Sequence, residues 1–108
     1  MPLNVKFTPS ARQDLRTIRA YIAQSDSPER ADCVVAQIVH AALSLNENPL
    51  RGSYPPELLA LGVRNYRQLH FKPFRILYRV LGQTVHISII VDGRRDMQSL
   101  LAKRVTQA

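Results

Sequence analysis

Apolar positions along the chain change their period several times, and each change marks an element. Leu3, Val5 and Phe7 alternate with polar residues, the two-residue period of a half-buried strand. Thr8-Pro9 then sets a good N-cap before a proline at the first helical position. Ala11, Leu15, Ile18 and Ile22 follow at helical spacing, while Arg12, Arg16 and Arg19 fall together on another face. Ser27-Pro28-Glu29 repeats the start signal, with Glu29 complementing the helix dipole. Ala31, Val34, Val35, Ile38, Ala42 and Leu45 predict a second helix, which Asn48-Pro49 ends. Two helices joined by so few residues are expected to form an antiparallel hairpin. Arg51 to Asn65 is punctuated by Gly52, Pro55, Pro56 and Gly62 and reads as a loop, with one helical turn over 57–61.

Three strand-like runs follow, 66–71, 74–81 and 84–91, divided by Lys72-Pro73 and Gly82-Gln83. Gly82 leading a two-residue turn is the type II′ hairpin signature, which makes the pairing calculable. Phe74 is expected opposite Val91, Ile76 opposite Ile89, Tyr78 opposite Ile87 and Val80 opposite Val85, an all-apolar face. The other face pairs Arg79 with His86, Leu77 with Ser88 and Arg75 with Ile90. If Lys72-Pro73 is also a two-residue loop, which proline at its second position favours only with a cis bond, that face gains Tyr66, Gln68 and His70. Its rows then read Tyr66–Arg79–His86, Gln68–Leu77–Ser88 and His70–Arg75–Ile90. The helical hairpin is expected to cover the apolar face, leaving the arginine face open to solvent or a partner. Asp96 can cap a last helix, with Met97, Leu100 and Leu101 on its apolar side and Lys103 and Arg104 suiting its C-terminus.

The expected fold is therefore α+β, one domain over 1–108. It has an N-terminal strand, an antiparallel helical hairpin packed on one face of an antiparallel sheet with three C-terminal strands, and a short C-terminal helix. A chain of 108 residues with 45% apolar content can build one core, mostly aliphatic because there is no Trp. No apolar run is long enough to span a bilayer, and the first residues lack a signal-peptide pattern, so the cytoplasm is the expected compartment. Cys33 has no partner for an internal disulfide and sits among apolar residues, where a buried, inert thiol is expected.

Charge changes the picture more than composition does. Fifteen basic residues against eight acidic ones give a net charge of +7, and Arg far outnumbers Lys. Arginine suits planar, bidentate contact with phosphate or carboxylate, so a nucleic acid or an acidic protein surface is the expected partner. Arginines, a Tyr and two His on one sheet face could hold a phosphodiester and move protons, as metal-independent ribonuclease chemistry requires. His40, His70 and His86 lack metal-ligand spacing, and there is no Gly-rich phosphate loop, so no cofactor is expected.

Four stretches carry a family likeness. They are Phe7-Thr8-Pro9-Ser10-Ala11 through Tyr21-Ile22, Asn48-Pro49-Leu50-Arg51-Gly52, Arg75-Ile76-Leu77-Tyr78-Arg79-Val80, and Gly93-Arg94-Arg95-Asp96-Met97 through Leu100-Leu101-Ala102-Lys103-Arg104. In this order the chain resembles the RelE/ParE toxins of type II toxin–antitoxin systems. The resemblance implies a toxin neutralised by a cognate acidic or amphipathic antitoxin. Its target is DNA gyrase for ParE-like members, or the ribosome and its mRNA for RelE-like members, which cut mRNA. A third reading is an antitoxin-binding co-repressor without toxicity. Arg75 and Arg95 match the phosphate-holding arginines of the RelE-like toxins. Leu101 stands near the position where those toxins place a catalytic Tyr, and the pair of lysines before their sheet is missing, with Arg64 and Arg67 the nearest substitutes. The C-terminal segment is more similar to ParE, although Asp92 stands where ParE-like chains often carry a His. In the nuclease reading Arg75, Arg95, His70 and His86 would be catalytic. In the binding reading Tyr66, Arg67, Arg79, Arg94, Arg95, Lys103 and Arg104 would meet the partner. Gyrase binding is the favoured expectation.

Overall fold

The two cap-and-proline pairs start both long helices where the sequence places them. Thr8 Oγ1 accepts from the Ala11 amide at 3.1 Å, and Ser27 Oγ accepts from the Arg30 amide at 3.0 Å. The computed structural model describes residues 2–106 of the chain. Strand β1 (Asn4–Phe7) leads into α1 (Pro9–Ser25) and α2 (Pro28–Leu43), which pack as a hairpin. A 3₁₀ turn (Ser44–Asn46) and one helical turn, α3 (Pro56–Leu59), precede β2 (Arg67–Phe71), β3 (Phe74–Leu81), β4 (Thr84–Asp92) and α4 (Met97–Thr106). Among the described residues no helix is long and apolar enough to cross a membrane.

The sheet order is β1-β4-β3-β2. The three C-terminal strands are antiparallel meanders, but β1 joins β4 in parallel, so the sheet is mixed rather than wholly antiparallel. Gly82 sits at φ +59 in the β3–β4 turn, the left-handed backbone that glycine takes without strain. Lys72-Pro73 is cis, and the loop between β2 and β3 has two residues, giving His70 opposite Arg75 and Gln68 opposite Leu77 as expected.

The β3–β4 register follows the expectation only from the turn to Tyr78–Ile87. A bulge between Leu77 and Tyr78 then shifts every pair by one: Leu77 faces Ile89, Ile76 faces Ile90, Arg75 faces Val91 and Phe74 faces Asp92. Ser88 is the extra residue. The shift exchanges Ile89 and Ile90 between faces, because side chains alternate along a strand.

Two apolar cores flank the sheet. Ile76, Tyr78, Val85, Ile87 and Ile90 pack against Ala11, Val34, Ile38 and Ala42 of the hairpin. On the other face Leu77, Ile89 and Val91 pack against Tyr66, Leu58 of α3 and Met97 and Leu101 of α4. The arginine face is therefore not open along its length. The expectation failed because Met97 and Leu101 with Leu58 form a second apolar surface that must also leave water. Cys33 is likewise corrected: it is exposed, since the buried positions of α2 are Ala31, Val34, Ile38 and Ala42 and Cys33 points off that stripe.

Gly52 fixes the long loop against the sheet. Its amide donates to Tyr78 Oη at 3.0 Å, and that hydroxyl donates to the Pro49 carbonyl at 2.7 Å. A Cβ here would lie 2.5 Å from the hydroxyl and 2.7 Å from the Gln68 carbonyl. Gly52→Ala is expected to cost about 2 kcal/mol in denaturant unfolding through this overlap.

Candidate functional site

Arg75 is where the structure departs furthest from the open-face expectation. It lies on β3 facing α3 and is only 8% exposed. Its Nη1 and Nη2 donate to the two Glu57 carboxylate oxygens, each at 2.8 Å, and its Nε donates to Gln68 Oε1 at 2.7 Å, with Nη2 reaching the same oxygen. Gly93 lies against the arginine stem, where a Cβ would come 2.9 Å from Arg75 Cδ. The guanidinium thus makes four hydrogen bonds inside the protein. Hydrogen bonds from Arg75 hold the Glu57 carboxyl below the usual carboxylate range, against the opposing pull of burial.

The other residues of the nuclease reading do not converge. His70 is exposed beside Arg75 at one end of the face, while His86 is half-buried opposite Arg79 at the other end. The row Gln68–Leu77–Ile89 separates them, with Leu77 and Ile89 in the second core. Arg95 is exposed after β4. Leu101 is fully buried in the second core, so the place near which RelE-like toxins carry a tyrosine is here part of the packing. Among the described residues no three His, Cys, Asp or Glu gather to hold a metal.

Several basic residues of the binding reading have internal duties. Arg67 ties the loop by donating to the Gly52 carbonyl at 2.9 Å and stacking over Tyr54 at 4.5 Å. Arg94 pairs with Asp92 at 2.6 Å, and its hydrogen bonds hold that carboxyl low. Arg104 reaches from α4 to both Asp14 oxygens at 3.0 Å and to the Ser88 carbonyl at 3.0 Å. Asp14 in turn accepts from the Ile90 amide at 3.0 Å, so α1, β4 and α4 meet at the bulge. Lys103 is exposed. Arg79 lies 5.3 Å above the ring of Tyr66, which is itself buried in the second core.

A groove lies between α1 and the ends of β3 and β4, with a volume of about 490 Å³. Ile18, Ile22, Phe74 and Ile90 are among its apolar lining, Tyr21 stands at it 70% exposed, and Arg94 and Arg95 border it. Of the whole apolar stripe of α1, only Ala11 is fully buried. The helix therefore keeps apolar surface that the sheet does not cover. Sequence reasoning named Arg94 and Arg95 but missed Tyr21, whose large apolar body off the buried stripe was the available signal.

Comparison with known proteins bears on this geometry. A search of functionally curated proteins finds no match. Among solved structures, the fold resembles the chromosomal ParDE toxin–antitoxin system from P. aeruginosa with a TM-score of 0.71 and 27% identity, covering 83% of this chain and 95% of that one. It also resembles the toxin–antitoxin complex RelBE2 from Mycobacterium tuberculosis with a TM-score of 0.62 and 27% identity, covering 85% of this chain and 99% of that one. The family described as ParE toxin of type II toxin-antitoxin system, parDE, matches residues 5–97. Helical hairpin and mixed sheet lie within that match, which spans most of the chain, and the chain belongs to the ParE toxin family within the RelE/ParE superfamily.

Proposed function

We propose that this toxin arrests growth by binding DNA gyrase, without cutting nucleic acid, and that a cognate antitoxin neutralises it by occupying the groove beside α1. The observation that carries the reading is the state of Arg75. A guanidinium that spends four hydrogen bonds on Glu57 and Gln68 has no free fork left to clamp a phosphate with two parallel bonds. His70 and His86 stand at opposite ends of the face, so no pair is in reach of one scissile bond. The ParE family match over residues 5–97 supports the same target class.

The test is a pair of assays on the purified protein. Gyrase supercoiling of relaxed plasmid is expected to stop, while mRNA on programmed ribosomes stays intact by toe-printing. Unaffected supercoiling with cutting at the A site would overturn the proposal. Harmless overproduction would instead favour the non-toxic co-repressor.

For the antitoxin, the groove supplies an apolar floor with charged residues of both signs at its edge, a fit for an amphipathic segment. The two matched structures are themselves toxin–antitoxin assemblies. Tyr21→Ala is expected to weaken antitoxin binding by about 2 kcal/mol, roughly thirtyfold, as loss of an aromatic anchor does. Its effect on unfolding should stay within about 0.5 kcal/mol, because the side chain is mostly in water. Calorimetric titration and a denaturant curve check the two halves.

A further inference from the structure

The stretch Asn48-Pro49-Leu50-Arg51-Gly52 lines no part of the α1 groove, although it carries part of the family likeness. The fold uses its backbone. The Pro49 carbonyl accepts from Tyr78 Oη, and the Gly52 amide donates to that same oxygen. Just beyond, Ser53 exchanges both backbone hydrogen bonds with Gln68, at 3.1 and 2.7 Å, and Pro55 is fully buried. A loop outside the helices and strands is thereby pinned at Pro49, Gly52, Ser53 and Pro55.

Between these anchors two large side chains are held in water. Leu50 is 62% exposed and Tyr54 is 42% exposed. Both hang on one guanidinium. Arg67 donates to the Leu50 carbonyl at 3.3 Å and to Tyr54 Oη at 3.2 Å, and it stacks on the Tyr54 ring. Arg51 stands exposed next to Leu50, its Nη2 donating to Ser44 Oγ at 2.7 Å. Burial gains little from side chains fixed at the surface in this way. Association does gain, because groups already held in place lose less freedom when a partner docks. Tyrosine and arginine are also the side chains most enriched where partners anchor.

Charge and shape narrow the occupant. Hydroxyls and carbonyls satisfy donors of Arg51 and Arg67 but leave both charges uncompensated. Glu57 is the one acidic residue from 48 to 71, and Arg75 holds it. Glu47, just before, forms no ion pair among the described residues. A second copy meeting this face with its own would set like charges together. A phosphate backbone gains nothing from Leu50, and Arg67 already covers one face of the Tyr54 ring against a stacking base. What matches is a protein surface with an apolar pocket and carboxylates at its rim.

We propose that this loop is the surface by which the toxin docks on gyrase, with Leu50 and Tyr54 entering an apolar pocket and Arg51 and Arg67 facing carboxylates around it. The proposal rests on gyrase being the target, and it sets the contact away from the α1 groove.

The experiment titrates gyrase supercoiling of relaxed plasmid with the parent protein, Leu50→Ala, Arg51→Glu and Arg16→Glu. Arg16 lies on α1 and donates to Gln13, so its variant repeats the charge change at another place. The concentration for half inhibition is expected to rise about tenfold or more for Leu50→Ala and Arg51→Glu, and to stay within about twofold for Arg16→Glu. Both loop variants should melt with the parent by circular dichroism, because the two side chains are exposed. An inhibiting parent with loop variants that inhibit equally would overturn this surface and leave the gyrase reading standing. A parent that leaves supercoiling untouched would remove both. Equal weakening by Arg16→Glu and Arg51→Glu would overturn the surface in favour of overall charge. Hydroxyl-radical footprinting of the parent on gyrase needs no variant to fold. Protection of Leu50 and Tyr54 is expected, and unchanged oxidation of both would overturn the proposal. A parent dimer that Leu50→Ala dissolves, with inhibition retained, would assign the loop to a second copy instead. Binding to a short DNA duplex that Arg51→Glu abolishes, with inhibition retained, would assign it to nucleic acid.

Discussion

Glu57→Ala is expected to unfold about 3 kcal/mol more easily than the parent protein, because it strands the Arg75 guanidinium under α3. The pair is only 10% and 22% exposed on its arginine and glutamate sides, so solvent can compensate the lost carboxylate only in part. Gln68 would remain as the sole acceptor for up to five N–H donors. Replacing both partners, Glu57→Leu with Arg75→Met, is expected to recover most of the loss, since the double change removes the buried charge along with its counter-charge. Equal losses in the single and double variants would show that α3 is held by something other than this pair.

Acid should reveal the same contact. Glu57 has a folded-state pKa below its ordinary value of 4.5, chiefly through hydrogen bonds from Arg75. A depressed carboxylate stabilises the fold above its unfolded pKa, and that contribution disappears as pH falls through the folded one. The parent should therefore lose this increment on acidification below about pH 4.5. Glu57→Gln starts lower at neutral pH and should lack that acid-dependent increment. Urea melts of both proteins across that interval make the comparison.

Leu101→Ala is expected to cost about 3 kcal/mol, at a position that would carry little weight if α4 only frayed along the surface. Leu101 is fully buried and shares a core with Leu58, Tyr66, Leu77 and Met97. Removing its branched end leaves a void between α4 and the sheet that rigid strands cannot close. Hydrogen exchange should quicken first in α4 and α3, with the Ile38 and Ile87 amides on the opposite side still protected. A loss below about 1 kcal/mol would mean that α4 contributes little to the fold.

Local signals carried most of the architecture, and the failures share one cause. Caps at Thr8 and Ser27 and the turn at Gly82 are short-range devices, and they lie where the pattern predicts. The bulge at Ser88 is different. Its backbone is satisfied by Asp14 and Arg104, residues that are far away in the chain. No spacing rule connects them, so the alternation through Ile87 was extended by one residue too far. Arg75 failed for the same reason: Glu57 lies eighteen positions earlier in a loop with no regular period. The groove shows the complementary case. Arg94 and Arg95 stood out by charge, whereas Tyr21 gains its place only from the fold, which sets Ile18, Ile22 and Phe74 around it.

The meeting of Asp14 and Arg104 at the bulge has a consequence for how copies of this protein treat one another. Strand β4 continues from Ser88 to Asp92 past the last residue of β1, and such an unpaired margin ordinarily invites a strand from a second molecule. Here the Ile90 amide and the Ser88 carbonyl are already taken by side chains. Sister molecules crowded together find that border interrupted at two of its rungs. A visiting strand could be admitted only by first prising the end of α4 from its anchorage.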